Sequence, residues 1–444
     1  MSGAPAPHAR ARLGRRAAAL ALSLGACLAQ ASSAAASPED VFGFGARSSA
    51  MGATGAALGE GYEAVYANPA LLSLTREREL TLGFQGAIFD LHANGARSYE
   101  PLRGSVIGAT LPVPFDGPLA NRVVLGVGFF TPFDLVVRGR ILYETTPQFL
   151  LPDRTQSVAV QAAVGVDVGH GVRVGGGFAA LAALSGSVEV ATDASGRIGT
   201  VVGDTLLASY APVVGASLDL GKAWRLGAVF RGELVGRFDV RIDVKDLGSI
   251  TVPPLDISGV PQYDPLEVAL GIARVDGPLR AEIELVYKHW SAYPGAEAAT
   301  VRCPVLDPAT GMPFTGECTA PSPPPPRFSD TVSPHVGLER RFELRRGVTV
   351  AVRGGAFFEP TPAPAQTRAS NVYDEARVGL SAGYGLRLGA PLPPVSLDAF
   401  VQGQALVPRT HDKAAGVARE NPGYPSVATS GAIGAAGVTA GVRF

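Results

Sequence analysis

The sequence is poor in charge and in cysteine, and after its N-terminal region it has no long apolar run. Charged residues make up 17% of the 444 positions, below the roughly 25% of an ordinary soluble domain. The net charge of −1 removes the electrostatic argument for a nucleic-acid partner, because phosphate binding needs a basic surface. Without a run of about 18 apolar residues, no transmembrane helix is expected. The 55 Gly and 36 Pro also argue against long helices.

Residues 1–36 have the pattern of a secretory signal peptide. An apolar stretch over 17–29 leads to small residues at 34–36, so the mature chain is expected to begin near Ser37. The basic start of the segment consists of Arg10, Arg12, Arg15 and Arg16. An alternative is a lipoprotein site at 24–27, which would leave Cys27 lipidated.

Only Cys303 and Cys318 remain after removal of the signal. In an oxidising compartment such a pair favours a disulfide over a metal site, and closing this loop would contribute about 3 kcal/mol. Two unpaired surface thiols are the alternative. The histidines are too widely spaced for metal ligation, and no cofactor or metal is expected.

Strict alternation of apolar and polar residues dominates the rest of the chain and predicts strands with two different faces. Residues 158–168 are the clearest example, with valine or alanine on one phase and Gln161 and Asp167 on the other. The pattern predicts fourteen strands, at 80–89, 104–113, 122–131, 156–168, 171–183, 208–220, 224–246, 264–275, 279–290, 333–343, 347–358, 375–388, 394–406 and 431–444.

The connections between these strands alternate between short and long. Short gaps follow the even-numbered strands and long gaps follow most of the odd-numbered ones, as in outer-membrane barrels with periplasmic turns and external loops. Arg231, Glu282, Glu284 and Arg387 fall on the polar phase, which would face the lumen. A secreted β-sandwich with one wet face is the alternative. The last strand alternates up to Phe444, a pattern that outer-membrane barrels share and that the barrel assembly machinery recognises.

Residues 37–78 do not alternate and are rich in Gly and Ala. Small residues suit close packing in a confined lumen, so this segment is interpreted as a plug. The sequence therefore predicts an all-β protein: a fourteen-stranded antiparallel transmembrane β-barrel over 79–444 with an N-terminal hatch over 37–78. Its expected location is the outer membrane of a Gram-negative bacterium, in contact with lipid and as a monomer.

Residues 45–52 and 63–70, the latter containing Asn68-Pro69-Ala70, resemble the hatch of the FadL family of outer-membrane transporters. Residues 124–135, 282–291 and 357–364 are similar to later parts of that family. The resemblance implies uptake of long-chain fatty acids or other hydrophobic molecules by diffusion. It also implies a hatch that shifts, and a lateral gate beside the third strand, where Gly126 and Gly128 would permit a kink.

Catalysis is not expected, and the protein is predicted not to be an enzyme. Glu282 and Glu284 are interpreted as partners of lumenal basic side chains rather than as a catalytic pair. Arg225, Arg231 and Arg353 are candidates to meet a substrate carboxylate. Two alternatives stay open: a scaffold or ligand-binding barrel with external recognition loops, and a membrane-embedded lipid hydrolase, which would need a Ser, a His and an acid close together.

Overall fold

The computed structural model of the chain describes residues 38–133, 147–152, 155, 158–192, 198–245, 255–295, 297–301 and 325–444. Fourteen antiparallel strands form a closed barrel. The first strand pairs with the last, from Glu79 opposite Arg443 to Ala93 opposite Thr429, and this pairing completes the cylinder. The predicted fourteen-stranded barrel is therefore confirmed.

The barrel strands are numbered here in chain order. They are β1 Glu79–Ala93, β2 Ala96–Pro112, β3 Val123–Pro132, β4 Ala159–Gly169, β5 Val172–Thr192, β6 Ile198–Leu220, β7 Trp224–Arg231, β8 Glu267–Arg274, β9 Leu279–Lys288, β10 Thr331–Arg345, β11 Val348–Glu359, β12 Arg377–Leu388, β13 Val395–Leu406 and β14 Ser426–Arg443. Each strand pairs with the next, so the order in the wall is the order in the sequence.

The alternation in the sequence corresponds to two faces of the wall. In β1, Leu80, Leu82 and Phe84 point outwards and are 47%, 55% and 62% exposed, whereas Thr81 and Gln85 point inwards and are buried. Lipid replaces water around such an apolar outer face, and a closed barrel leaves no unpaired strand edge in the hydrocarbon. The fold is thus that of an outer-membrane barrel, as predicted. None of the helices in the described residues is long and apolar enough to cross a membrane.

Short turns close one end of the barrel, such as Gly221–Ala223 between β6 and β7, and in barrels of this type the short turns mark the periplasmic end. The first connection at the opposite, external end is short as well. It consists of Asn94 and Gly95, both with positive φ, as in a type I′ hairpin. β1 and β2 consequently extend further than the predicted strands at 80–89 and 104–113.

The prediction of one strand over 224–246 is wrong. β7 ends at Arg231, and the strand Leu234–Lys245 leaves the barrel to run parallel to the outer part of β5. The strands Leu255–Asp264 and Glu297–Val301 extend this external sheet. A period of two identifies a strand with two faces, but it does not identify the strand's neighbour.

Further short elements occur in the loops and in the lumen. The helices are α1 Pro38–Phe42, α2 Ala46–Ala50 and α3 Ala64–Ala67, with 3-10 helices at Gly61–Glu63, Pro69–Leu74, Gly117–Leu119 and Trp290–Ala292. Short strands outside the barrel wall are Gln148–Phe149, which pairs with Val372–Tyr373, and Arg409–Asp412, which pairs with β14.

A charge on the lipid face of β9 should destabilise the barrel. Leu285 lies about halfway along β9 and is 49% exposed towards lipid. Leu285→Arg is expected to lower the free energy of unfolding in liposomes by about 2–4 kcal/mol. Leu344→Arg, at the periplasmic end of β10, is the matched control and should cost about 0–1 kcal/mol. Equal losses in the two variants, measured by urea titration, would contradict this assignment of the lipid face.

Candidate functional site

The hatch, residues 38–78 in the described structure, lies inside the barrel and fills its lower lumen. Phe42, Ala57 and Leu71 are completely buried, and nearly every hatch residue up to Ser73 is buried as well. Hydrogen bonds link the hatch to the lumenal faces of β6, β9, β10, β12 and β13. The barrel is therefore plugged rather than open.

Asn68 organises the centre of the hatch. Its side-chain N–H groups donate to the carbonyl of Ala56 at 2.6 Å and to the carbonyl of Ala216 in β6 at 3.0 Å. Its Oδ1 accepts the backbone N–H of Ala70 at 3.0 Å and so caps the 3-10 helix Pro69–Leu74. One buried amide thus joins two parts of the hatch to each other and to the wall.

Glycines in the wall make room for this motif. A Cβ atom at Gly215 of β6 would overlap the Asn68 side chain, and one at Gly175 of β5 would overlap the backbone of Pro69. Any larger residue at these two positions would push the hatch away from the wall. The Asn-Pro-Ala motif and the wall glycines therefore form one complementary surface.

Two carboxylates of β9 hold the neighbouring hatch loop. Glu284 accepts the backbone N–H groups of residues 55 and 56 at 2.9 Å each, and Glu282 accepts those of residues 57 and 58 at 2.6 and 3.1 Å. The expectation that these glutamates pair with lumenal basic side chains is therefore wrong. Four consecutive amides supply the positive charge density instead, because they point to one side of the loop.

Arg47 connects the hatch to a buried ion network in the wall. Its Nε donates to Glu339 of β10 at 2.9 Å, and one terminal nitrogen donates to the carbonyl of Leu58 at 2.7 Å. Glu339 also accepts the Nε of Arg353 of β11 at 2.7 Å, and Arg353 bonds to Asp398 of β13 at 2.5 Å. This network ties α2 of the hatch to three strands.

Glu60 is the corresponding anchor at the periplasmic end. Its carboxylate lies 2.7 Å from Arg280, 2.7 Å from Arg341 and 2.9 Å from Arg387. Burial by itself would raise the pKa of Glu60, but these arginines and Arg47 hold that pKa well below its usual value. Glu60 is therefore a carboxylate at any physiological pH, and its arginine contacts persist.

Glu63 sits at the start of α2, where it accepts the backbone N–H of Arg47 at 2.9 Å and that of Ser48 at 2.8 Å. Burial raises the pKa of Glu63 to about 7, against the opposing effects of Arg47 and of the two amides. Glu63 is thus a hatch group whose charge responds to pH near neutrality.

Gly126 and Gly128, the predicted lateral gate, lie on the lumenal face of β3. A Cβ at Gly126 would overlap Val65 and Leu72, and one at Gly128 would overlap the ring of Phe44. β3 pairs without a register shift with β2 on one side and with β4 on the other. The two glycines thus give space to the hatch, and their role in a gate stays a prediction.

Above the hatch, a cluster of buried apolar residues, called the apolar core below, fills the upper lumen. Hatch residues, wall residues and inward-folded external loops all contribute to it. Its large members include Phe42, Phe44, Phe89, Phe130, Phe149, Tyr263, Trp290, Tyr293, Phe328 and Tyr373. Four of these rings, Tyr263, Trp290, Tyr293 and Phe328, pack together, with the Tyr293 and Phe328 centroids 4.7 Å apart. The centre of the upper lumen is therefore apolar.

The arginines considered for a substrate carboxylate already have partners in the chain. Arg225 bonds to Asp219 at 2.7 Å, and Arg231 pairs with Glu267. Arg353 has the two carboxylates described above. A cargo carboxylate would have to displace one of these internal anions, so these three arginines offer little attraction to a negatively charged head group.

Other sequence predictions fall at the chain ends or outside the described part. Phe444 is 73% exposed, and its backbone N–H donates to the carbonyl of Arg78 at 3.0 Å, next to the β1–β14 closure. Its recognition by the assembly machinery stays a prediction. Cys303 and Cys318 lie outside the described residues, as do the predicted signal peptide and Cys27.

A Ser, a His and an Asp do meet at the external end of β9, but they do not form a relay. Ser291 Oγ and Asp330 Oδ2 lie 3.4 and 3.2 Å from the same atom, His289 Nδ1. A relay requires the acid and the nucleophile on opposite ring nitrogens. In the described residues, no group of three or more His, Cys, Asp or Glu side chains could hold a metal ion.

Removal of the carboxylate charges of β9 should loosen the hatch. In Glu282→Gln/Glu284→Gln the four amide contacts become neutral hydrogen bonds, worth about 0.5–1.5 kcal/mol each instead of the roughly 1.5–3 kcal/mol of a bond to a charged group. The expected result is a higher single-channel conductance to salt in planar bilayers and faster proteolysis within the hatch. Glu343→Gln, an exposed glutamate of β10, is the control and should leave both unchanged. Unaltered conductance in the double variant would refute the anchoring role.

Glu63 should make hatch stability depend on pH. Because its folded pKa is raised, to about 7, its contribution to stability is complete below the unfolded value near 4.5 and is lost as the pH rises through 7. Glu63→Gln removes this titration, so its stability relative to the natural protein should increase between pH 5 and pH 8.5. Chemical denaturation at both pH values measures the difference. A pH-independent difference would show that Glu63 stays ionised throughout.

Comparison with known proteins finds related folds but no close relative. No family model matches the sequence, and no curated protein matches it. A Pseudomonas aeruginosa FadL homologue aligns with a TM-score of 0.60 at 12% identity, covering 90% of this chain and 98% of that one. The P. putida toluene transporter TodX aligns with a TM-score of 0.53 at 14% identity, covering 91% of this chain and 99% of that one. The Ralstonia pickettii toluene transporter TbuX aligns with a TM-score of 0.50 at 16% identity, and its coverage of the two chains is the same as for TodX.

These alignments extend over nine-tenths of the chain. The predicted resemblance is confirmed at the level of structure. The chain has the fold of the FadL-type outer-membrane transporters, a plugged fourteen-stranded barrel.

Proposed function

We propose that the protein is an outer-membrane channel of the FadL family that takes up hydrophobic or amphipathic small molecules by diffusion. The observation that carries this proposal is the order of layers along the lumen. External loops and hatch residues enclose an apolar core at the top, and a hatch anchored to the wall closes the barrel below it. An open polar pore for salts or sugars has no use for either layer.

The cargo class we favour is uncharged and apolar, such as toluene, the compound that the structural neighbours TodX and TbuX transport. Arg225, Arg231 and Arg353 support this choice, because each of them already pairs with an internal carboxylate. Long-chain fatty acids, the cargo implied by the sequence resemblance, are the second class. They would have to bind mainly through the acyl chain.

The alternatives from the sequence receive less support. Hydrolysis lacks a relay at Ser291, His289 and Asp330, as described above. A scaffold protein could use the external sheet to bind other molecules. A scaffold role does not explain why buried carboxylates hold a hatch inside the barrel. We further propose that residues 1–36 are removed on export and that the barrel acts as a monomer in contact with outer-membrane lipid.

Uptake by cells tests the proposal directly. Cells that produce the protein should accumulate radiolabelled toluene faster than cells without it, and radiolabelled oleate serves as the anionic comparison. Mass spectrometry of molecules that copurify with the detergent-extracted barrel should recover apolar compounds. Recovery of hydrophilic solutes only, or equal toluene uptake with and without the barrel, would overturn the proposal.

Strand β10 offers a control for the uptake assay. Glu343→Gln changes an exposed carboxylate at the periplasmic end of this strand and should transport toluene like the natural protein. If cells with this variant took up toluene as slowly as cells without the barrel, the assay would be reporting expression or membrane insertion rather than transport.

A further inference from the structure

A cavity of about 470 Å³ lies below the hatch, at the periplasmic mouth of the barrel. Leu58, Leu71 and Leu74 of the hatch line its upper side, and the periplasmic ends of β7, β9, β12, β13 and β14 line its sides. A volume of this size falls within the roughly 300–1,000 Å³ of small-molecule sites. The function proposed above makes no use of this cavity, because the apolar core lies on the other side of the hatch.

The lining of the cavity carries an excess of positive charge. Its charged residues are five arginines and three glutamates: Arg76, Arg225, Arg280, Arg387 and Arg443 against Glu60, Glu77 and Glu79. Positive charges therefore outnumber negative ones by two. Asp219 and Arg341, which contact lining residues from outside the cavity, have opposite charges and leave this excess unchanged. Like charges that lie this close repel one another, and a bound anion would lower that repulsion.

Arg280 and Arg387 have most of their hydrogen-bonding capacity unused. Within the described part of the chain each donates a single hydrogen bond, and both bonds go to Glu60, at 2.7 and 2.9 Å. A guanidinium group carries five N–H donors. The two side chains are 25% and 38% exposed, so further donors are accessible from the cavity.

Glu60 cannot accept all of these remaining N–H groups. Its two oxygens already accept from three arginines, the third being Arg341 at 2.7 Å, and Arg47 Nε lies 3.7 Å from the same carboxylate. A carboxylate offers about four acceptor positions. The arginines around Glu60 therefore have more donors than this one anion can bind.

The other charged residues of the lining do not correct the imbalance. Glu77 accepts a hydrogen bond from Arg443 at 3.0 Å, and Glu79 accepts one from the hydroxyl of Ser396 at 3.2 Å. In the described residues, Arg76 of the hatch donates only to two backbone carbonyls. Its charge adds to the attraction of the cavity for anions.

We infer that the periplasmic mouth is a binding site for a phosphate group, which Arg280 and Arg387 hold beside Glu60. Guanidinium groups bind phosphate through two parallel N–H···O bonds, which a spherical anion such as chloride cannot accept in the same way. The phosphate group belongs either to a free anion of the periplasm or to a phospholipid head group of the adjoining leaflet. The inference goes beyond the proposed function and is independent of the cargo.

Titration calorimetry of the detergent-solubilised full chain with inorganic phosphate tests the site, with sodium chloride keeping the ionic strength constant. Saturable binding of one phosphate per chain is expected. Arg387→Gln should weaken this binding about tenfold, because charge-assisted hydrogen bonds to the anion are lost. Arg346→Gln, which changes an exposed arginine in the turn between β10 and β11, is the matched control and should bind phosphate like the natural protein.

Glu60→Gln separates a binding site from a purely structural role of the arginines. The substitution removes one negative charge and frees donors of Arg280 and Arg387, so phosphate should bind about tenfold more tightly than to the natural protein. If these arginines served only to anchor the hatch, the variant would bind phosphate no more tightly than the natural protein, and the inference would be wrong.

Native mass spectrometry with added phosphatidylglycerol identifies the source of the phosphate group. Saturable binding of inorganic phosphate supports a free anion as the ligand. Retention of the phospholipid without binding of inorganic phosphate, and its loss in Arg387→Gln, supports the head group. Binding of neither ligand, or equal weakening in Arg387→Gln and Arg346→Gln, would overturn the inference. Toluene uptake is a separate measurement, so failure of this site leaves the proposed function standing.

Discussion

Closure of the sheet between β1 and β14 is the constraint on which the rest of the structure depends. A strand edge exposed to lipid would leave N–H and carbonyl groups without partners, at a cost of several kcal/mol for each group. Fifteen opposed residue pairs, from Glu79 with Arg443 to Ala93 with Thr429, remove that edge. The closed wall then encloses a lumen of fixed width, which the chain has to fill if the barrel is not to be an open pore.

The hatch fills this lumen by fitting its backbone to the wall. Gly175 and Gly215 provide the space in which Asn68 and Pro69 lie, and the carboxylates of β9 bind consecutive backbone amides of the loop at 55–58. Charge-assisted bonds of this type are directional and strong in a buried setting. These bonds therefore fix the hatch in one position. Because the anchoring groups are polar, they could form hydrogen bonds with other partners if the hatch moved.

The wall is not uniform around the circumference. β6 pairs with β5 from Ile198 to Leu218, whereas it pairs with β7 only from Val213 to Leu220. After β7 the chain departs to build the external sheet, and this departure places Leu234 and Val235 in the apolar core. One local feature of the wall thus links the apolar core and the external sheet.

Local sequence was sufficient for the barrel and its two faces. Alternation over 158–168 and 431–444 determines a strand with an apolar and a polar side whatever its neighbours are, and the Gly- and Ala-rich segment before Glu79 indicated a plug. Two further local features carry structural information: Asn94-Gly95 is typical of a tight hairpin, and Pro212 is unusual inside a strand.

Tertiary structure alone decided what each lumenal group touches. Glu282 and Glu284 bind backbone amides more than 200 residues away along the chain, and those amides have no side-chain signature that a sequence could reveal. The end of β7 at Arg231 likewise depends on which strand edge is free to accept the next segment. Periodicity is a property of one strand, so the sequence determined the faces. Pairing is a property of two strands, so only the fold determined the partners and the anchors of the hatch.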